Sequence, residues 1–354
     1  MRVIHCCLSC FYIDGYSYQE NILAREHVRL GHDVLVVAST ESYCDDKVLS
    51  YLGPSEYLGS DGANVIRLPY RTFLPHSVMR KLRIHSGVYR VLSDFKPDVI
   101  MFHGMCGFEL LTVSRYVKDN PHVRLYADSH EDVNNSAQSL LSLYTLYKFF
   151  YVPIIRYSRR HIDKIFYITY ETKQFCNRIY KLSDDQLEFF PLGGIVLKSD
   201  DYFSNRKNKR MLLNVQDDEI VFFQSGKFDG KKKLIESISA FTKVKNDKFK
   251  FFIAGSMPDE LKDEIDLLIS KDSRICYFGW VDSEELQDFL CMADVYVQPG
   301  SQSATMQMSL SARCAIIFSN VSSHRHIFNS NGFLVNSTED LQDAFSQISN
   351  EPQL

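Results

Sequence analysis

An α/β fold built from two parallel sheets is the class this sequence predicts, and three observations predict it. Short β-branched or aromatic runs alternate with longer helical patterns almost from end to end, the signature of βαβ units. The runs are nearly continuous and apolar, as interior strands covered by helices on both faces must be. The series also restarts half-way, and 354 residues exceed what one hydrophobic core usually organises.

In the first half, strands are expected at Val3–Cys7, Val34–Ala38, Asn64–Leu68, Val99–Phe102, Arg124–Ala127, Lys164–Tyr167 and Leu187–Phe190, all as interior strands. The second series runs through Ile220–Gln224, Phe249–Ala254, Ile275–Phe278, Val295–Gln298, Ala315–Phe318 and Phe333–Val335, with a last helix from Asp340 to Ser349. Between them, Pro191-Leu192-Gly193-Gly194 and a polar stretch through Asn214 read as a hinge. The boundary therefore falls near residue 191, giving domains 1–190 and 191–354. Two Rossmann-like domains in tandem are expected to face each other across a cleft at the carboxyl ends of their strands, where open α/β sheets bind ligands.

Composition narrows the function classes. Hydrophobic residues at 45% and charged residues at 24% describe a soluble globular chain, and a formal charge of -4 lacks the basic excess of a nucleic-acid binder. The opening run lacks the basic and apolar regions of a secretory signal, so the nine cysteines are expected to be reduced in a cytoplasmic protein. Cys6, Cys7 and Cys10 have no matching Cys/His pair at zinc spacing, and no metal is expected there. No apolar run approaches the length that spans a bilayer.

The strand-end loops carry the candidate chemistry. Phe11-Tyr12-Ile13-Asp14-Gly15-Tyr16-Ser17 leads into an amphipathic helix from near Tyr18 to Leu30, and Gly15 lets backbone approach a phosphate at the helix start. An ordinary βα turn explains Gly15 equally well. The loop is not G-x-G-x-x-G, which removes the main support for NAD or FAD. His32 reads as a turn residue before the second strand. In the second half, Gln224-Ser225-Gly226-Lys227-Phe228-Asp229-Gly230-Lys231-Lys232-Lys233 places lysines at a strand's carboxyl end, suiting a diphosphate that is held and then stabilised as a leaving group. A solvated charge run is the alternative, and the order of residues excludes a Walker A loop. Val297-Gln298-Pro299-Gly300-Ser301-Gln302-Ser303-Ala304-Thr305-Met306-Gln307 offers amides and hydroxyls at a helix start, although a helix capped by Ser301 or Ser303 also accounts for it. His103, directly after Val99–Phe102, and His130, within Asp128-Ser129-His130-Glu131-Asp132, stand where an imidazole can meet a sugar hydroxyl or move a proton.

In order and spacing these residues resemble the retaining glycosyltransferases of the GT-B fold, in the large family 4 (glycosyl transferases group 1). Gly15 sits at that family's glycine-rich first loop, Gly31-His32-Asp33-Val34 resembles its Gly-His-Glu-Val turn, and His130 resembles the His of its strand-ending element. Pro191-Leu192-Gly193-Gly194 is similar to the inter-domain Pro-Asn-Gly-Val, and Gly226-Lys227 with Lys232 to the basic residues that hold the donor diphosphate. Phe278-Gly279-Trp280-Val281 is similar to the segment that receives the nucleotide base. The family's two glutamates separated by seven residues are replaced by Ser303 and Ser311, which leaves the donor sugar to Ser303, Ala304, Thr305, Gln307 or a backbone amide.

The resemblance implies transfer of a hexose from a nucleotide-sugar to a saccharide or lipid-linked saccharide, with retention, in surface polysaccharide or glycoconjugate biosynthesis. Lys227 and Lys232 neutralise the departing diphosphate and His130 orients the sugar, so no metal cofactor is expected. Basic and aromatic residues mix in Leu74–Phe95 (Arg80, Lys81, Arg83, Arg90) and Tyr144–Arg160 (Tyr147, Lys148, Phe149, Phe150, Tyr151), a pattern that fits peripheral contact with the cytoplasmic face of a membrane or a buried helix with a charged outer face. A nucleotide-sugar epimerase is a rival, but the Ser303 region supplies no carboxylate for it. A non-catalytic nucleotide- or saccharide-binding subunit is the other rival, and the two serines are its best support.

Overall fold

β1 (Arg2–Cys7) shows how the first half assembles. Ile4 and Cys6 enter a core with Ile100, Phe102, Leu110 and Ile155 on one face, while Cys7 joins Tyr12, Ala24, Val34 and Val36 on the other. A strand buried on both faces belongs inside a parallel sheet. β1 pairs in parallel with β2 (Asp33–Ser39) and with β7 (Val99–Phe102). The computed structural model describes residues 1–16, 18–43, 49–133 and 135–351, and the chain divides into two units, Met1–Pro191 and Leu192–Leu354.

The remaining strands of the first unit are β3 (Glu41–Tyr43), β4 (Leu49–Tyr51), β5 (Ser55–Leu58), β6 (Asn64–Leu68), β8 (Arg124–Ser129), β9 (Lys164–Tyr167) and β10 (Leu187–Phe189). Its main sheet has the order β10-β9-β8-β7-β1-β2-β6-β5, and β3 and β4 form a separate antiparallel pair. Three strands were not expected from sequence. β5 pairs antiparallel with β6 at the sheet edge and is largely exposed, so it carries no apolar run to mark it. β10 is the opposite edge rather than an interior strand.

The second unit has one parallel sheet, β13-β12-β11-β14-β15-β16, from β11 (Ile220–Lys227), β12 (Phe249–Ser256), β13 (Ile275–Tyr277), β14 (Val295–Gln298), β15 (Ala315–Ser319) and β16 (Gly332–Val335). One face packs on the helices Leu234–Lys243 and Thr338–Asn350 through Ile238, Phe241, Leu341 and Phe345. The other packs on Ser283–Met292 and Ala304–Ser311 through Phe289, Leu290 and Met306.

Much of the stretch read as a polar hinge is a helix, Ser199–Leu212. Its charges are what fix it: Arg206 and Arg210 meet the Asp294 carboxylate at 2.5 and 3.3 Å, and Lys209 meets Glu285 at 2.8 Å. The basic-aromatic segments also divide. Tyr147 and Tyr151 are core residues, whereas Leu140, Leu141, Tyr144 and Phe149 are exposed along the π-helical segment Ser142–Tyr151 and the residues before it. No described helix is long and apolar enough to cross a membrane.

β11 and β12 run past their expected ends because glycine lets them. A Cβ added to Gly255 would lie 1.8 Å from the Gly226 carbonyl oxygen, and Gly255 has φ +148°. Gly255→Ala should therefore destabilise the second unit by about 2 kcal/mol through overpacking and backbone strain. A lower midpoint of urea unfolding would show it, whereas Gly230→Ala, with nothing within 4 Å of an added Cβ, should leave the midpoint in place.

Candidate active site

In the first unit the candidate chemistry gathers on a buried carboxylate. Asp128, near the carboxyl end of β8, is fully buried. Its Oδ2 lies 2.7 Å from Nδ1 of His103, and its Oδ1 accepts from the Gly104 amide at 2.7 Å. Nε2 of His130 lies 3.2 Å from the same Oδ1. Burial alone would raise this carboxyl, but the two imidazoles outweigh it and hold Asp128 well below the usual carboxylate range. Burial likewise works against the His130 cation, yet Asp128 prevails and raises it to about 9. His103 and His130, proposed separately from sequence, thus share one anion.

Glu20 was missed by sequence reasoning. It lies in the first turn of α1 (Gln19–Arg29), is buried, and is raised by that burial against the opposing pull of His103 and His130. Ser9 packs against Gly104, and its Oγ, like both amide atoms of the neighbouring α1 residue Gln19, is buried without a hydrogen-bond partner. Buried polar atoms without a partner in the protein are candidates for ligand contacts. The available signal was their position, directly after a strand and at a helix start. Gly15 has φ +78°, and Asp14 beside it accepts from the amide and hydroxyl of Ser60 at 2.9 and 2.7 Å, pinning the loop. Ser17 lies outside the described residues.

In the second unit the lysine loop and the Ser301–Gln307 loop meet. Lys232 is buried, and its Nζ donates to the carbonyls of Ser301 at 3.1 Å and Gln302 at 2.6 Å. The Ser301 amide donates to the Lys231 carbonyl at 2.9 Å. Only glycine fits at position 300, where a Cβ would lie 2.1 Å from that carbonyl. Burial lowers the proton affinity of Lys232. Lys227 is exposed at the end of β11, and Gly226 lies beside the Lys232 stem. Val281 follows Gly279, whose carbonyl accepts from the Gly255 amide at 2.7 Å, so the ends of β11, β12 and β13 adjoin.

The helix Ala304–Ser311 begins as an N-capped helix, with Ser303 Oγ accepting from the Met306 amide at 3.3 Å and Ala304 exposed. The hydroxyls of Ser225, Ser303 and Thr305 surround the Tyr296 phenol, which burial pushes up to about 12. Gln307 accepts from the Gly193 amide at 3.3 Å, and Ser311 packs on Gly194, whose added Cβ would lie 3.0 Å from the Ser311 hydroxyl. These two residues therefore face the segment that enters the domain. A cavity of about 650 Å³ opens at the other end of the sheet, where β11, β14, β15 and β16 begin. Its Asp294 carboxylate is already bound by Arg206, Arg210 and the Val221 amide, so it offers no comparable unpaired chemistry.

Residues 19–193 match the family model described as a glycosyl transferase 4-like domain, and residues 205–354 match the model for glycosyl transferases group 1. The chain belongs to the group 1 glycosyltransferases. No curated protein sequence matches this glycosyltransferase. Solved structures do. Sucrose-phosphate synthase from Thermosynechococcus elongatus has a TM-score of 0.64 at 13% identity, covering 99% of this chain and 90% of that one. The catalytic domain of starch synthase IV from Arabidopsis thaliana has 0.68 at 10%, covering 100% and 92%. HepE from Anabaena has 0.63 at 10%, covering 100% and 91%. At these identities the likeness shows the fold, GT-B with two Rossmann-like domains.

The Asp128–His130 pair gives the glycosyltransferase a pH signature. A histidine raised from 6.5 to about 9 on folding contributes stability that is complete below about pH 6.5 and lost as pH rises through about 9. The unfolding midpoints of wild type and His130→Gln should therefore differ at pH 6 and converge by pH 10. A gap of constant size across that range would contradict the ion pair.

Proposed function

We propose that this enzyme transfers a hexose from a nucleotide-sugar to a hydroxyl of a saccharide or lipid-linked saccharide, with retention and without a metal ion. The observation that carries the proposal is the paired-loop anion site of the second domain. Gly226 and Gly255 let β11 and β12 end with bare backbone beside exposed Lys227, and Lys232 is anchored behind them. Solved structures of similar fold include HepE with UDP and glucose and starch synthase IV with ADP and acarbose, which supports a nucleoside diphosphate as leaving group.

Each residue has a task in this reading. Lys227 and Lys232 neutralise the charge that grows on the diphosphate as the anomeric C–O bond breaks. A diphosphate beside Lys232 would also offset the burial that weakens its cation. The acceptor oxygen bonds to the anomeric carbon from the same face, and its proton passes to the departing phosphate. His130, held through Nε2 by Asp128, presents its other ring nitrogen to a hydroxyl of the transferred sugar. Ser303, Ala304, Thr305 and the adjoining amides serve the donor from the second domain, and Val281 lies in the segment assigned to the base. In the first domain, exposed Leu140, Leu141, Tyr144 and Phe149, with Lys148 lying 4.1 Å above the Tyr144 ring, support peripheral binding to the cytoplasmic face of a membrane during polysaccharide or glycoconjugate synthesis.

A non-catalytic nucleotide-binding subunit is the second reading, because Ser303 caps a helix and Ser311 is packed on Gly194 where the family carries glutamates. Product formation separates the two.

Thermal shift of the purified protein with UDP-, GDP-, ADP- and CMP-sugars in EDTA should show stabilisation by one nucleotide that Lys227→Ala abolishes. Loss of either lysine should slow turnover by about 100-fold or more, the scale of a lost transition-state donor. Normal rates in both mutants would refute the assignment. Flotation with anionic liposomes at low salt should carry the protein upward, and Phe149→Ser with Leu141→Ser should leave it in the lower fraction.

A further inference from the structure

His103 is also the inner end of a row of imidazoles. Its Nε2 lies 2.9 Å from Nδ1 of His5 in β1, and Nε2 of His5 lies 2.9 Å from Nδ1 of His27 in the last turn of α1. His5 and His103 are fully buried with their ring planes within 10° of each other and their centroids 5.3 Å apart, while His27 is half-buried and its ring lies 5.9 Å from that of His32. We infer that His27, His5 and His103 form a proton relay linking the surface at the end of α1 to Asp128, and through Asp128 to His130.

The chemistry follows from the acceptor at the end of the row. Ionised Asp128 can only accept, so His103 donates through Nδ1. With all three rings neutral, His5 must then donate through Nδ1 to His103, and His27 through Nδ1 to His5. His27 Nε2 is left as the outer acceptor. A proton arriving there is passed on in two hops: His27 gives its Nδ1 proton to His5 Nε2, and His5 gives its own to His103 Nε2. His5 and His27 finish neutral with the proton on Nε2, and His103 finishes as an imidazolium. Every hydrogen bond survives, those between rings with reversed direction, and no ring has to turn.

The added charge reaches the active site through Asp128. A carboxylate serving two cations holds the His130 proton less firmly. Glu20 faces both His103 and His130, and Glu131 and Asp128 also favour the His130 cation. Burial resists charging of His27, aided by His32 and His103, while Glu26 favours it. Burial resists charging of His5 as well, with His103 and His27, against the pull of Asp128.

The test uses the full chain, ¹⁵N-labelled at histidine, with two-bond ¹H–¹⁵N correlation spectra recorded through a pH titration. Peaks are assigned with His5→Gln and His27→Gln. At high pH, His5, His27 and His103 should all carry the proton on Nδ1. On acidification, His5 and His27 should convert to the Nε2 form in one step as His103 becomes doubly protonated. Independent titrations, or a fixed tautomer at His5 or His27, would overturn the relay. Its kinetic consequence rests on the reading of His130 as a donor contact. His27→Gln can donate to His5 as it stands but must turn its amide over to accept from His5 in the loaded arrangement, which disfavours that arrangement, so the acid limb of kcat/KM for the nucleotide-sugar should shift to lower pH. An unmoved limb would overturn the coupling to His130. Absence of turnover in the wild type would instead count against the transfer reaction and leave the spectra to decide the relay.

Discussion

A carboxylate inside an apolar sheet must be answered by donors on every side, and much of the first domain is arranged around answering Asp128. The answer comes from three places in the chain: the imidazole and amide that follow β7, the imidazole that follows β8, and, through His103, the middle of β1. These strands are neighbours only because the sheet order puts β7 between β1 and β8. The topology and the charge are thus one arrangement. The anion requires parallel strands ending together, and their common end supplies the surface on which a ligand can be recognised.

The second domain solves the opposite problem, holding positive charge in an ordered turn. Its lysine loop is not a loose run of cations. The Asp229 side chain caps the turn by accepting from the Lys231 amide at 3.1 Å, Gln224 donates to the Lys232 carbonyl at 3.1 Å, and Gly300 allows the neighbouring loop to lie on that backbone. A turn ordered in advance spends little free energy on ordering when an anion binds to it.

Much of this was legible in the chain, because buried parallel strands write themselves as apolar runs and strand-end loops follow them. β1, β7, β8 and β11 are easily found in this way. Edge strands are not: β5 is exposed and pairs through backbone that has no sequence signature. The helix Ser199–Leu212 was hidden for a related reason. Its buried face is largely basic, and Arg206 and Arg210 look like solvent residues until Asp294 is placed against them. At the candidate site, His103 and His130 could be picked by position, but His5 could not, since a histidine inside an apolar strand reads as an exception until His27 and His103 are seen on either side of it. Partners distant in sequence are set by topology, which no local pattern records.

The Asp294 arrangement also defines where the second domain begins. Arg206 reaches that carboxylate and the carbonyls of Met292 and Ala293, and Arg210 reaches the same carboxylate and the carbonyls of Gln216 and Glu219. A fragment started after residue 212 would contain the complete sheet yet would strand an anion and a row of carbonyls with only the Val221 amide for company. The domain's edge is therefore electrostatic rather than topological, and a dissection of the chain guided by strand count alone would cut away the counter-charges that the first strand needs to close.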